Sequence, residues 1–250
     1  MKELGIMGGA FNPIHSRHLL VGQCAIDQLG LSKVLFVPSG DPPHKKEGLL
    51  DKEARFEMVQ LACSDNPLFE ASRLEVDRPG ISWSIDTLKE VKLQYERLGE
   101  KELRLNFIIG EDNLAAMAKY SRAAEFLGLC RLVVSPRQTS DSDQALLKQW
   151  LPVFQAILLT AELAILAAPA NEVSSTIIRN WLEQGKSVRY LVHDKVNAKL
   201  LSAGHYQKSK PRQDKPLQDE PVEDKPLQDK RVGGLIALAR KLWRKLCQGF

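Results

Sequence analysis

Three short runs constrain this chain more than any other feature: K-V-L-F-V-P at 33–38, L-R-L-N-F-I-I-G at 103–110 and R-L-V-V-S-P at 131–136. Each is a nearly continuous apolar stretch of strand length. A strand that alternates polar and apolar residues can leave one face in water. A strand without alternation must be covered on both faces, as in a parallel sheet. Between these runs the apolar residues recur at helical spacing. Ser16 to Leu29 carries Leu19, Leu20, Cys24, Ile26 and Leu29, and Lys52 to Cys63 and residues 84–98 read the same way.

The rest of the first 206 residues fits that alternation. L-G-I-M-G-G at 4–9 predicts a first strand ending in a glycine turn, Phe69 to Val76 a further strand, and L-A-I-L-A at 163–167 another. V-S-S-T-I-I-R-N-W-L at 173–182 opens a helix. The predicted class is α/β, a Rossmann-like doubly wound parallel sheet with helices on both faces. Ligands in such folds sit outside the carboxyl ends of strands, where the strand order reverses. Gly8-Gly9 and Gly110 end their strands there.

After Tyr206 the pattern stops. Pro211, Pro216, Pro221 and Pro226 recur every five residues in P-R-Q-D-K, P-L-Q-D-E, P-V-E-D-K and P-L-Q-D-K. So little apolar surface does not offset the entropy of ordering, and proline with alternating charge favours an extended spacer of ~60 Å. Then comes L-I-A-L-A-R-K-L-W-R-K-L-C-Q-G-F. As a helix it sets Leu235, Leu238, Ala239, Leu242 and Leu246, joined by Ile236 and Trp243, against Arg240, Lys241, Arg244 and Lys245. The predicted organisation is a globular domain at 1–206, a disordered linker at 207–231 and a basic amphipathic helix at 232–250. Such a helix suits an anionic membrane surface or a groove on a partner protein.

Charge sharpens the division. Residues 207–250 hold 11 Lys/Arg and 6 Asp/Glu, so of the chain's net +4 the tail carries +5 and the first 206 residues −1. The globular part therefore lacks the footprint of a nucleic-acid binder. Cys24, Cys63, Cys130 and Cys247 lie far apart with no C-x-x-C spacing, which predicts reduced thiols in a cytoplasm and no metal cluster. No run reaches the ~18 apolar residues of a membrane span; residues 156–170 come closest and Glu162 interrupts them. The N-terminus runs straight into apparent structure and leaves no room for a signal peptide.

The chemistry concentrates in G-G-A-F-N-P-I-H-S-R-H-L, Gly8 to Leu19. Taken alone, H-x-x-H at a helix start describes solvated or capping histidines as well as catalytic ones. Here a glycine turn lets backbone approach a ligand, and His15 and His18 fall on the first helical turn, where the dipole and free N–H groups favour an anion. Imidazole N–H groups can donate to phosphoryl oxygens. A second anion site is legible in V-S-S-T-I-I-R, where Ser174 or Ser175 caps a helix, Thr176 adds a hydroxyl and Arg179 follows one turn on; a plain serine cap reads the same way. P-P-H-K-K at 42–46 is a cationic loop, or a solvated basic turn.

Together these segments resemble the nucleotidylyltransferase superfamily. The first run is similar to its G-G-T-F-D/N-P-x-H-x-G-H signature, and V-S-S-T-I-I-R to its I-S-S-T-x-I-R motif. L-F-V-P-S-G-D-P-P-H-K, S-W-S-I-D-T-L (82–88), F-I-I-G-E-D-N-L (107–114), C-R-L-V-V-S-P-R (130–137) and V-R-Y-L-V-H-D-K-V (188–196) resemble the bacterial nicotinate mononucleotide adenylyltransferases, in family order from residue 2 to Tyr206. The resemblance covers none of the tail. It implies transfer of AMP from ATP to nicotinate mononucleotide, with Mg2+ carried on the ATP phosphates and no protein metal ligand. It implies catalytic roles for His15, His18 and Arg179, with His18 nearest the α-phosphate. Gly8, Gly9, Ala10, Phe11, Gly110, Asp112, Ser174, Ser175 and Thr176 would bind ATP. Lys45, Trp83, Ser84, Asp86 and Tyr120 would meet the second substrate, Trp83 otherwise being a core residue.

Two departures fall inside the signature. The glycine between the histidines is Arg17, and the threonine of G-G-T-F is Ala10. An arginine there can project sideways, stack on adenine or block the site. Tyr120 stands where the family usually has a tryptophan that stacks on the nicotinate ring. Besides an active enzyme of this branch, two alternatives stay open: a nucleotide-binding scaffold that has lost turnover, and an adenylyltransferase for another phosphorylated substrate.

Overall fold

The computed structural model describes residues 1–41, 48–100, 102–136 and 142–207. The spacer and basic helix expected after Tyr206 lie outside these residues, apart from Gln207. The described strands β1 (Lys2–Gly9), β2 (Lys33–Pro38), β3 (Phe69–Ala71), β4 (Leu103–Gly110), β5 (Arg131–Ser135) and β6 (Leu163–Ile165) form one sheet in the order β3-β2-β1-β4-β5-β6, parallel throughout. β1 is central: Ile6 stands opposite Leu35 of β2 on one side and Phe107 of β4 on the other. The strand order reverses between β1 and β4, which opens a crevice at their carboxyl ends.

Both faces are covered, as the unbroken apolar runs require. On one face Val34 and Phe36 of β2 and Val133 of β5 pack under helices α1 (Ser16–Leu29), α2 (Lys52–Cys63), α7 (Ser175–Glu183) and α8 (Asp194–Ser202), through Val21, Ala25, Met58, Ile178 and Val196. On the other face Leu4, Ile6, Leu35, Leu105, Leu132 and Val134 meet α3 (Ser84–Arg97), α4 (Leu114–Ala118), α5 (Ala123–Leu127) and α6 (Ser142–Ile157), through Ile85, Leu88, Leu114, Phe126 and Phe154. Successive residues of β2 and β5 thus point to opposite cores, the period-2 rule applied to a strand with no wet face.

The predicted elements appear with small changes. β3 stops at Ala71 instead of reaching Val76, because the chain then curls, with Asp77 N–H donating to Arg73 O at 2.9 Å. That curl brings the Glu75 carbonyl against residue 40, where an added Cβ would lie 2.1 Å from it; only glycine fits. α6 was not expected, since Pro152 in its middle removes a backbone donor and reads as a breaker. Among the described residues no helix is long and apolar enough to cross a membrane.

Candidate active site

The signature loop leaves β1 at Gly9 and enters α1 at its N-cap, His15. It is held from below by a cation. Arg55 of α2 is 1% exposed, and its guanidinium donates to Ala10 O (2.8 Å), Gly40 O (3.1 Å) and Leu50 O (3.0 Å). One buried fork thus joins the signature loop to the exit of β2 and to the start of α2. Asn12 works in parallel: its amide donates to Gly48 O at 3.0 Å and accepts from Leu50 N–H at 3.1 Å, and the Tyr206 hydroxyl also bonds its Oδ1.

His15 and His18 face each other as stacked rings, centroids 3.7 Å apart and planes 25° from parallel, with Phe11 edge-on to His18 at 5.0 Å. The His15 backbone N–H donates to His18 Nδ1 at 3.2 Å. In a neutral ring this leaves the proton of His18 on Nε2. Desolvation, then the Arg17 charge, lowers the His15 pKa to about 4; desolvation, then the charges of His15 and Arg17, holds His18 well below its ordinary range. At neutral pH both imidazoles are uncharged N–H donors.

Arg17 lines the cavity wall. Its guanidinium turns sideways and donates to Pro136 O (3.1 Å), just past β5, and to Asn171 O (3.0 Å), in the segment that leads into α7. α7 is tied to the signature loop independently. Ser175 Oγ donates to Pro13 O at 2.8 Å, and Arg179 donates to Asn12 O at 2.9 Å and to Thr176 Oγ1 at 3.2 Å. Ser174 caps the helix by accepting from Ile177 N–H at 3.3 Å. At the end of β4, an added Cβ on Gly110 would sit 2.5 Å from Asp112 Oδ1, so the glycine leaves room for that carboxylate.

These segments enclose a cavity of about 890 Å³, large enough for a nucleotide. The N-caps of three helices, His15 of α1, Trp83 of α3 and Ser174 of α7, all line it. Three helix N-termini converging on one space favour an anion there. The buried side-chain atoms His15 Nδ1, Ser39 Oγ and Ser82 Oγ have no hydrogen-bond partner among the described residues, and all three residues line the cavity. Buried polar atoms are almost always paired, so three orphans around one cavity point to a polar ligand.

Of the residues singled out in the sequence, Gly8, Gly9, Ala10, His15, His18, Gly110, Asp112, Ser174, Trp83 and Ser84 line the cavity. Phe11 stands behind His18, and Ser175, Thr176 and Arg179 lie outside the lining, bonded to the signature loop or to one another. Tyr120 stacks on Trp83 with centroids 6.4 Å apart, and Asp86 faces Arg122 at 3.5 Å. Lys45 lies outside the described residues. Ser39 and Ser82 lie in runs that carry the resemblance but were given no role there; Arg55 and the buried Glu75, whose carboxylate accepts from Thr87 at 2.7 Å, had no sequence signal of their own.

A family model described as cytidylyltransferase-like matches residues 6–181. A protein of Caldicellulosiruptor bescii called a probable nicotinate-nucleotide adenylyltransferase is 36% identical over 206 residues, covering 82% of this chain and 100% of that one. A Synechococcus protein of the same name is 37% identical over 193 residues, covering 76% and 88%. Among solved structures, Plasmodium falciparum nicotinic acid mononucleotide adenylyltransferase complexed with NaAD superposes with a TM-score of 0.65 at 16% identity, over 82% of this chain and 98% of that one. At that identity the likeness shows the fold.

Proposed function

We propose, for a chain that belongs to the cytidylyltransferase-like family and within it to the nicotinate-nucleotide adenylyltransferases, the transfer of AMP from ATP to nicotinate mononucleotide, giving deamido-NAD and pyrophosphate. The observation that carries this reading is the convergence of three helix N-termini and three orphaned polar atoms on one cavity at the β1–β4 switch point. That is a site for a long polyanion that must be held along its length.

The triphosphate lies between the α1 and α7 N-termini. His18 Nε2–H donates to a non-bridging oxygen of the α-phosphate, where charge builds as the mononucleotide phosphate attacks in line; His15 donates beside it. Neutral imidazoles suit this role, since they donate without adding a second full charge. Ser174 and the first turn of α7 hold the pyrophosphate end, while Arg179 and Ser175 fix α7 to the signature loop. The Asp112 carboxylate accepts from ribose hydroxyls on the adenosine side. Trp83 and Ser84, at the α3 N-terminus, receive the nicotinate nucleotide, with Tyr120 behind Trp83 and Asp86 one turn in. Lys45 adds positive charge near phosphate. In this reading a magnesium ion would be carried in on the nucleotide phosphates. When bound, it neutralises phosphate charge.

Arg17 favours this reading over that of a nucleotide-binding relative without turnover, because its guanidinium is engaged with two carbonyls in the wall. The test is pyrophosphate release from Mg-ATP, with nicotinate mononucleotide against nicotinamide mononucleotide. Faster turnover of the acid supports the reading; no turnover with either, in folded protein, sinks it.

Residues 1–206 form the catalytic domain in this reading, and the tail is a tether whose basic helix docks on an anionic membrane surface. Liposome flotation with and without residues 232–250 tests it. Equal recovery of both forms in the unbound fraction removes the membrane role and leaves a protein groove as the remaining partner.

A further inference from the structure

The structure assigns Arg17 a positioning role that the family's glycine cannot fill: it fastens the α1 N-terminus to the segment feeding α7, so that the two phosphate-facing helix ends are in register before ATP binds. The proposal rests on the adenylyltransferase reading for its substrate and on geometry for its mechanism.

Arg17 sits on the first turn of α1, two residues past the N-cap. Its planar fork reaches two carbonyls that are far apart in sequence, Pro136 O and Asn171 O, at 3.1 and 3.0 Å. Pro136 follows β5, and Asn171 precedes the Ser174 cap by three residues. The Asn171 side chain in turn accepts from Val173 N–H at 2.9 Å, which shapes the approach to that cap. Arg17 also lines the cavity with His15, His18, Glu172 and Ser174. The clamp therefore lies between the two anion sites. Glycine has no side chain to span the gap, and a flexible lysine presents one ammonium where the guanidinium presents a rigid fork. Binding a polyanion across two prearranged helix ends avoids the cost of ordering them during association.

The test compares wild type with Arg17→Met, Arg17→Lys and Arg17→Gly in the full chain. Two quantities are read: the KM of each substrate, and the rise in melting temperature produced by pyrophosphate alone. For Arg17→Met the expected result is a KM for ATP raised about tenfold with the KM for nicotinate mononucleotide unchanged within about twofold, the signature of lost preorganisation on one substrate. The pyrophosphate-induced shift is expected to shrink in the same variant. Arg17→Lys should recover only part of the loss, and Arg17→Gly should resemble Arg17→Met. Full recovery by lysine would reduce the effect to charge and overturn the clamp. A faster Arg17→Gly enzyme, or a uniform loss on both substrates, would overturn it too. The pyrophosphate measurement needs no turnover. A wild-type protein that binds pyrophosphate in an Arg17-dependent way but makes no dinucleotide would uphold the clamp while removing the proposed reaction.

Discussion

At the scale of single residues, the proposed chemistry falls to the histidine pair. His18 is oriented by the His15 backbone N–H and by the edge of Phe11, so its Nε2–H direction is set before any ligand arrives. Removing the imidazole in His18→Ala should lower kcat by ~10²–10³, the usual loss of one preorganised donor, with a smaller effect on KM. Steady-state kinetics checks this; a kcat within about threefold of wild type would remove His18 from the transition state. The low His15 pKa has a second consequence. Between its folded value of about 4 and the ordinary 6.5, the unfolded chain binds a proton that the folded chain does not, so stability drops as pH falls through that window. Bound phosphate favours imidazolium and raises the folded value. ATP binding near pH 6 should therefore take up protons, seen by calorimetry in buffers of different ionisation heat; release of protons would contradict it. His15 and His18 were legible because motif and helix start coincide in sequence. Arg55 was not. A charged residue inside an amphipathic helix ordinarily faces water, and only the fold shows that three carbonyls from three segments meet it.

At the scale of elements, the site is an assembly of helix ends and of the ties between them. Ser174 caps α7, and Ser174→Ala should destabilise the protein by about 1 kcal/mol while weakening pyrophosphate binding. Thermal melting with and without pyrophosphate separates the two effects; an unchanged melting temperature would remove the cap. Arg55→Met keeps the volume but leaves three carbonyls without their donor, that of Gly40 buried and those of Ala10 and Leu50 part-buried, which should cost ~3 kcal/mol by denaturant unfolding. A loss below about 1 kcal/mol would mean that water replaces the guanidinium. Strands and long helices could be read from the chain because burial on both faces and helical periodicity are local patterns. α6 hid behind Pro152, and β3 was overextended because nothing local marks where the Glu75 carbonyl meets Gly40. Ser39 and Ser82 fall inside two of the runs that carry the resemblance, but nothing local marks their hydroxyls as the ones left unpaired at the cavity.

At the scale of the whole molecule, the order β3-β2-β1-β4-β5-β6 decides where chemistry can occur. The reversal between β1 and β4 parts the segments leaving those two strands, and the signature loop and Gly110–Asp112 face each other across the gap. The class of fold was visible in the sequence, and the switch point followed from two glycines that end strands. That α7 meets the end of β1 followed only from the resemblance; the ties that hold it there, Arg179–Asn12 and Ser175–Pro13, span more than 160 residues and leave no local trace. Charge separates by region, with a globular part near neutrality and a basic tail. In the proposed reading, helix dipoles and backbone supply much of the attraction for phosphate among the described residues, and the affinity for pyrophosphate should fall only modestly between low and physiological salt. A steep, nucleic-acid-like salt dependence would point to the tail as the binding element.

The most direct measurement follows the α-phosphorus itself. ATP labelled at the α-phosphate is incubated with the full chain, magnesium and nicotinate mononucleotide, and the label is traced to nucleotide and protein. The expected result is label in the dinucleotide, released with unlabelled pyrophosphate, and none on the protein even in a single turnover. Label retained on the protein, or absent from any dinucleotide while the folded chain still binds ATP, would contradict direct adenylyl transfer in this cavity.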